Sequence, residues 1–365
     1  MTYFLGFFIS LVLSIFATGI VRSLGFRKKI FAEIRERDVH KKPIPRIGGI
    51  AIFLSFLITL TIFLLVFKTN FGFAGSAVFG LDSKFIGIIL GSTLVVISMF
   101  FDDLFGLKAW QKSIFQILAA IVAISGGIGI DTLTNPFGGE INLNSIYVPL
   151  FSVSGTMVHF SLWSDLLTLV WLVGMMNVIN FVDGIDGLAS GISTIAAFTI
   201  FLLSISLAVN QPSTALIAII LAGSTAGFLF WNFPPAKIFM GDAGSMFLGY
   251  ILGVLPLISG GKLATAFLVL GFPIVDGLFV AGGRILRGKN PFTTPDKTHL
   301  HHRFLAAGFS VREAVLSLYV IAIAFAWVAL RSTTMNKIIA SIILILLLIG
   351  IIVLLRMRAK QMTES

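Results

Sequence analysis

The chain has 365 residues, 57% of them hydrophobic and 12% charged, with a formal net charge of +10 and no cysteine. Soluble domains carry roughly 25% charged residues, so this composition excludes one and indicates an integral membrane protein. The missing cysteine excludes disulfides, thiolate zinc sites and thiol nucleophiles.

A membrane-spanning helix needs about 20 mostly apolar residues, fewer where neighbours shield its ends. On that basis about eleven transmembrane helices are expected: Phe4 to Leu24, Gly48 to Phe67, Phe85 to Phe101, Ile114 to Ile130, Trp163 to Phe181, Leu188 to Val209, Ala215 to Phe233, Ser245 to Ser259, Ala264 to Gly282, Val315 to Leu330 and Ile338 to Leu355. The first is too long for a secretory signal and lacks a basic leader, so it is read as a permanent helix. With no internal repeat or linker, residues 1–365 are expected to form a single polytopic, all-α transmembrane domain.

Lys and Arg near helix ends are retained in the cytoplasm. Of the 26 basic residues, 21 fall in one set of alternate loops and the C-terminal tail. The other side holds five: Lys68, Lys84, Lys262, Arg331 and Lys337. The asymmetry predicts the N-terminus outside and the C-terminus inside. It also makes the net charge a topology signal and an attraction to the inner leaflet, with no nucleic-acid partner implied.

Three loops are long. The first inner one, Arg27 to Arg46, is dense in charge and is expected to begin as a surface amphipathic helix. The outer loop contains Glu140-Ile-Asn-Leu-Asn-Ser-Ile-Tyr-Val-Pro149, whose alternation predicts a small extracytoplasmic β-hairpin. His159 in the same loop is read as structural. The inner loop Arg284 to Arg312 holds three of the five histidines.

Chemistry is suggested by six aspartates, Asp102, Asp103, Asp183, Asp186, Asp242 and Asp276, all at the cytoplasmic edges of apolar segments. Carboxylates there are costly and point to function. Asp102 and Asp103 close the third helix, and successive helical residues point about 100° apart, so one could bind metal or take a proton while the other orients it. A solvated helix end paired with Lys108 and Lys112 is the alternative. Asn180, Asp183 and Asp186 share one stripe if helical, beside glycines, and suit recognition of a base or ribose. Asp242 follows a rigid Asn232-Phe-Pro-Pro235 stretch to the start of a helix, where an acid could be an N-cap. A helix start also holds phosphate, and a carboxylate beside it can bring Mg²⁺. Asp276 lies three residues past Pro273, where a proline is expected to bend the ninth helix.

Cations sit on the same face. His40-Lys41-Lys42-Pro-Ile-Pro-Arg46-Ile-Gly-Gly49 offers charge, a stiff turn and glycines for an anionic substrate. His299, His301, His302 and Arg303 can donate to phosphate or sugar oxygens. Adjacent His301 and His302 cannot easily both turn onto one ion, which weighs against zinc.

Taken in order, His40 to Gly49, Phe101-Asp102-Asp103, Asn177 to Gly187, Asn232 to Ser245 and His299 to Arg303 resemble the motifs of the polyprenyl-phosphate N-acetylhexosamine-1-phosphate transferases. The resemblance covers nearly the whole chain. Pro-Asp-Lys-Thr-His-Leu-His-His-Arg303 is similar to the branch that uses UDP-N-acetylglucosamine for teichoic acid, enterobacterial common antigen or O-antigen (lipopolysaccharide) initiation. The sister branch, phospho-N-acetylmuramoyl-pentapeptide translocase, has a third histidine where Arg303 stands.

The resemblance implies transfer of N-acetylglucosamine 1-phosphate from UDP-N-acetylglucosamine to undecaprenyl phosphate, releasing UMP, in a bacterial cytoplasmic membrane with the active site facing the cytoplasm. It implies Mg²⁺, which Mn²⁺ could replace, held by Asp242 with Asp102 and Asp103. These three are the expected catalytic residues, Asp102 as base for the lipid phosphate, by direct attack; a covalent aspartyl phosphate stays open. Asn180, Asp183, Asp186, Asn232 and Phe239 are expected to line a nucleotide pocket. Lys41, Arg46, His299, His301, His302 and Arg303 are expected to face phosphates or sugar. The family's ninth helix is broken and leans into the bilayer, which fits Pro273 and the Gly282-Gly283 pair, and the groove would admit the prenyl chain. A homodimer is left open. A secondary transporter, the rival from another class, predicts acids at the bilayer midplane and repeated, interrupted helices.

Overall fold

A computed structural model describes residues 1–31, 43–73, 75, 77–78, 80–135, 139–153, 156–259, 267–288, 299–331 and 334–364. Its helices are α1 (Thr2–Arg27), α2 (Gly49–Leu65), α3 (Ser83–Phe105), α4 (Ala109–Ser125), α5 (Leu162–Val182), α6 (Leu188–Ile205), α7 (Pro212–Asn232), α8 (Gly241–Ile258), α9 (Gly271–Leu286), α10 (Leu300–Ala306), α11 (Val311–Arg331) and α12 (Thr334–Glu364). Each of the eleven apolar segments overlaps one of these. Among the described residues, eight helices are long and apolar enough to cross a membrane, and α2 and α4 are shorter apolar helices. The ninth segment yields only the 16-residue α9, because the helix is interrupted at Leu270 and residues 260–266 lie outside the described part.

The core is organised around α8, whose every residue is buried. It touches α2, α3, α5 and α6. A helix that is apolar all round is enclosed by other helices, and past Ser245 α8 shows this but for Tyr250. Its few polar contacts tie it to neighbours: Tyr250 Oη donates to Gly87 O at 2.9 Å, and Trp171 Nε1 donates to Gly253 O at 2.9 Å. Helices α1 and α7 pack through small side chains, and Ser14 Oγ donates to Ser224 O at 2.6 Å. Small residues let backbones approach closely where lipid supplies no hydrophobic drive.

The start of α2 meets the start of α8 at a glycine contact. A Cβ on Gly49 would collide with the backbone of Gly244. The same contact is laced by main-chain hydrogen bonds: Phe239 N to Pro45 O at 2.8 Å, Gly48 N to Phe239 O at 2.9 Å and Gly49 N to Met240 O at 2.7 Å. The segment carrying Arg46 is thereby fixed against the residues leading into α8.

Two expectations are corrected. The stretch Glu140 to Pro149 does not fold on itself. Strand β3 (Thr132–Thr134) pairs antiparallel with β4 (Glu140–Asn142), and β5 (Tyr147–Val153) pairs with β6 (Thr156–Ser161). A third ribbon joins β1 (Ala77–Val78) to β2 (Leu81–Asp82); it precedes β3 in the chain. Alternation marks strand residues but does not say which neighbour they pair with. The ninth segment is broken beside Pro273, as expected, but the proline itself sits in the first turn of α9, where its missing N–H costs nothing. The helix interruption falls at Leu270, after a helical turn at 267–269, and α9 runs unbroken through Gly282 and Gly283. The expected surface helix in Arg27 to Arg46 falls mostly on residues 32–42, outside the described part.

Gly49→Val is expected to lower stability by about 1–3 kcal/mol through overpacking, read as a lower midpoint of thermal unfolding in detergent. An unchanged midpoint would show that the α2–α8 contact is loose.

Candidate active site

The acids at the end of α3 meet the first turn of α8. Asp103 Oδ1 accepts from Asp242 N at 2.9 Å and Oδ2 from Ala243 N at 3.1 Å. One carboxylate thus satisfies two orphan donors of the α8 N-terminus from a different helix, the task an N-cap side chain performs locally. Met240, the residue at the cap position, has no such side chain. Gly241 adopts φ 75°, and a Cβ there would press on both Arg46 O and the Asp103 carboxylate. Asp242 is therefore not an N-cap; its side chain is released for other work.

That side chain is held between two cations. Arg46 Nη2 donates to Asp242 Oδ1 at 2.5 Å, and Lys112 Nζ donates to Asp242 Oδ2 at 2.7 Å. Lys112 also meets Asp102 Oδ2 at 2.6 Å, while Arg46 Nε lies 3.5 Å from Asp103 Oδ1. Asp102 Oδ1 accepts from Leu107 N at 2.7 Å, which pins the turn between α3 and α4. Oxygens of Asp102, Asp103 and Asp242 all lie within 4.8 Å of one another. Three hard oxygen donors in that space suit a small divalent cation such as Mg²⁺. A carboxylate carries about four lone-pair directions, so Asp103 can cap α8 and still offer one to an ion.

Burial pulls the Arg46 guanidinium down in pKa, but the carboxylates of Asp242, Asp103, Asp183 and Asp102 outweigh it and hold the cation above its usual value. Asp183 stands just past α5. Burial lifts its carboxyl well above the usual range, Arg46 opposes this, and Asp242, Asp103 and Asp186 add to it. By solvent exposure the residue as a whole is half-buried.

Asp183 and Asp186 do not share a helical stripe, because α5 ends at Val182. Asp186 turns away and accepts from Ala236 N at 2.9 Å. Asn180 Nδ2 donates to Ser245 Oγ at 2.9 Å, joining α5 to the first turns of α8. Asn232 is buried and clamps two loops: Oδ1 accepts from Gly187 N and Ser190 Oγ at 3.1 and 2.8 Å, and Nδ2 donates to Ile238 O at 3.0 Å. Phe239 is half-buried and stitched to Pro45 and Gly48 through its main chain. From α11, Tyr319 Oη donates to Gly187 O at 2.5 Å and Arg312 Nη2 to Pro234 O at 3.2 Å.

Asp276 finds its role here. His299 Nδ1 lies 2.8 Å from Asp276 Oδ2, and Leu300 N donates to Asp276 Oδ1 at 2.8 Å. The acid on α9 therefore orients His299 and caps α10. His301 stacks on His299, with centroids 5.6 Å apart, and faces His302 at 4.2 Å. It also lies against Gly184, where a Cβ would strike its ring. The Arg303 guanidinium lies 5.7 Å from the Phe279 ring centroid. Lys41 lies outside the described residues.

Lys112 emerges from the structure as a site residue; in the sequence it is legible only as a partner for a helix end. A lysine in the first turn of α4 runs against the helix dipole, so an acid beside it is the signal that reveals it. One turn on, Gln116 and Asn177 exchange amide hydrogen bonds at 3.2 and 3.4 Å beneath the acids. A separate apolar cavity of about 290 Å³ lies between α2 and α3, lined by Leu57, Leu60, Leu64, Phe85 and Ile89. It is at the other end of those helices and offers only Thr61 as a polar wall, so it cannot host phosphate chemistry.

The sequence that builds this carboxylate centre matches a known family. The family model for glycosyl transferase family 4 matches residues 85–260. A Bacillus subtilis protein named probable undecaprenyl-phosphate N-acetylglucosaminyl 1-phosphate transferase is 33% identical over 337 residues, covering 90% of this chain and 85% of the relative. Decaprenyl-phosphate N-acetylglucosaminephosphotransferase of Mycolicibacterium smegmatis is 33% identical over 331 residues, covering 84% and 76%. Phospho-N-acetylmuramoyl-pentapeptide-transferase of Caldanaerobacter subterraneus is 27% identical over 341 residues, covering 90% and 96%. The chain belongs to glycosyl transferase family 4, the polyprenyl-phosphate N-acetylhexosamine-1-phosphate transferases. Within that family it stands with the N-acetylglucosaminyl 1-phosphate transferase branch.

Burial, helped by His302 and His299, lowers the His301 pKa well below its ordinary value. The sign follows: below about pH 6.5 the unfolded chain takes up a proton that the folded one refuses, so stability falls as pH falls. His301→Gln is expected to flatten this loss, which approaches about 1.4 kcal/mol per pH unit, in melts between pH 7 and pH 5. Parallel pH profiles for the two proteins would show that His301 charges freely in the folded state.

Proposed function

We propose that the protein transfers N-acetylglucosamine 1-phosphate from UDP-N-acetylglucosamine to undecaprenyl phosphate, giving undecaprenyl-diphospho-N-acetylglucosamine and UMP. The observation that carries this reading is the meeting of Asp102, Asp103 and Asp242 with Arg46 and Lys112. An oxygen of the lipid phosphate forms a bond to the sugar-bearing phosphorus as the bridging P–O bond to the uridylyl phosphate breaks and UMP leaves. One pyrophosphate replaces another, so catalysis rests on positioning and neutralising charge rather than on bond strength.

Asp102, Asp103 and Asp242 would hold the Mg²⁺, for which Mn²⁺ could substitute; the bound ion would neutralise phosphate charge. Arg46 and Lys112 already point at the Asp242 carboxylate and would turn to phosphate oxygens when a metal takes their place. Asp102 would act as base for the acceptor phosphate. Asn180, Asp183 and Phe239 would border the nucleotide, with Asp186 and Asn232 acting through the loops they clamp. His299, His301, His302 and Arg303, with Lys41, would face the pyrophosphate and sugar. Identity of 33% to the N-acetylglucosaminyl relative against 27% to the pentapeptide relative supports the donor assignment, as does Arg303 in place of a third histidine. The reading places the enzyme in a bacterial cytoplasmic membrane, active site toward the cytoplasm, at the first step of a cell-envelope glycan.

The purified protein, given Mg²⁺, undecaprenyl phosphate and UDP-N-acetylglucosamine, is expected to release UMP and form the lipid product, and to reject UDP-N-acetylmuramoyl-pentapeptide. No UMP from either donor would overturn the proposal; product from the pentapeptide donor alone would move it to the sister reaction. Lys112→Gln is expected to lower kcat by about 10²-fold or more and Asp242→Asn to abolish turnover, both with unchanged elution on size exclusion. Near-native kcat for Asp242→Asn would remove it from the metal site.

A further inference from the structure

The last turns of α1 meet the segment leading into α8 at a place the phosphoryl chemistry does not use. Arg22 Nε donates to Lys237 O at 3.2 Å, although the two residues are 215 positions apart. The Arg22 guanidinium lies 5.8 Å from the Trp231 ring centroid and 5.1 Å from that of Phe26. The Lys237 ammonium lies 5.6 Å from the same Trp231 ring. The indole is fixed, since its Nε1 donates to Ile15 O at 3.0 Å, and the segment closes on it through Lys237 N to Trp231 O at 2.9 Å. Arg27, Lys28 and Lys29 follow at the end of α1 and are exposed. Among the described residues, none of these five cations forms an ion pair with a carboxylate.

Two cations drawn to one ring repel each other unless an anion lies between them. Their depth says which anion is at hand. Arg22 is 20 residues along α1 from Thr2, about 30 Å at 1.5 Å per residue, which is the thickness of the hydrocarbon core. Tryptophan at that level is an interfacial anchor, and basic pockets between transmembrane helices bind anionic headgroups. Phe26 and Phe230, 41% and 66% exposed, border the cluster and offer apolar surface beside it.

We propose that Arg22, Lys237 and Trp231, flanked by Arg27, Lys28 and Lys29, form a binding site for the phosphate headgroup of an anionic membrane phospholipid. Lys237 belongs to the segment that Asn232 clamps and that delivers Asp242. The lipid would therefore brace the approach to the catalytic centre without touching substrate.

The test compares the full-length protein in nanodiscs of phosphatidylcholine alone and with added phosphatidylglycerol, read by thermal unfolding. Phosphatidylglycerol is expected to raise the Tm of the wild type by about 3 °C or more, less so at high salt. Arg22→Gln/Lys237→Gln is expected to lose most of that rise, while a charge-matched Arg356→Gln/Lys360→Gln variant keeps it. Lys237→Gln alone removes an exposed side chain and is expected to lose about half, which covers a double variant too unstable to measure. An equal rise in the wild type and both Lys237 variants would overturn the site. So would an equal rise from inorganic phosphate in phosphatidylcholine discs, which would make it a general anion site.

Discussion

Two helix ends of opposite polarity meet, and the centre depends on that contact. Asp102 and Asp103 lie at the C-terminal end of α3, where the macrodipole is negative and acids are disfavoured. The N-terminus of α8 presents unsatisfied N–H groups and the positive end of its own dipole. Bringing the two together through Asp103 removes both penalties at once. It also frees Asp242 from capping and leaves its carboxylate in the space between the ends.

The rest of the helical packing serves to hold that contact. Because α8 is enclosed on all sides, its N-terminus cannot shift without disturbing α2, α3 and α5 together. The glycine contact of Gly49 with Gly244 and the backbone bonds from Pro45 to Met240 set Arg46 within reach of two acids. Lys112 comes from the next helix, α4, across a turn that Asp102 itself closes. The charged groups of the centre thus arrive on several structural levers, with Asp102 and Asp103 sharing α3, and each lever ends at the same face.

Much of this was legible in the sequence, and the limits have physical reasons. The apolar segments located every long helix, since lipid imposes both length and apolarity on the chain. The acids were visible because carboxylates at the edges of apolar segments are costly, and Arg46 because it sits between a stiff proline turn and two glycines. Asp276 was visible as an acid but not as the partner of His299, because 23 positions of sequence separate them and nothing local pairs them. The shared face expected for Asp183 and Asp186 failed because α5 ends at Val182, ahead of both acids. Lys112 looked like ordinary positive-inside charge, and only the fold shows that its ammonium bridges two acids. Strand alternation in the loop was real, yet pairing lay with neighbours outside the stretch that displayed it.

Charge counting explains why such a centre can rest stably without substrate and still be poised for it. Asp102, Asp103 and Asp242 contribute three negative charges against Arg46 and Lys112, and the α8 dipole adds a fraction of a positive charge. The balance stays slightly negative, while burial at the rim favours the neutral form of Asp183. A divalent cation would carry the whole centre past neutrality and release the two side-chain cations, which then need an anion. A pyrophosphate is an anion of that size and charge. The same arrangement at the bilayer midplane would offer an ion no water from which to arrive, whereas at helix ends it can exchange with solvent. A one-sided cluster built from five helix termini therefore fits group transfer between a soluble donor and a lipid phosphate, and it lacks the midplane placement that ion-coupled transport requires.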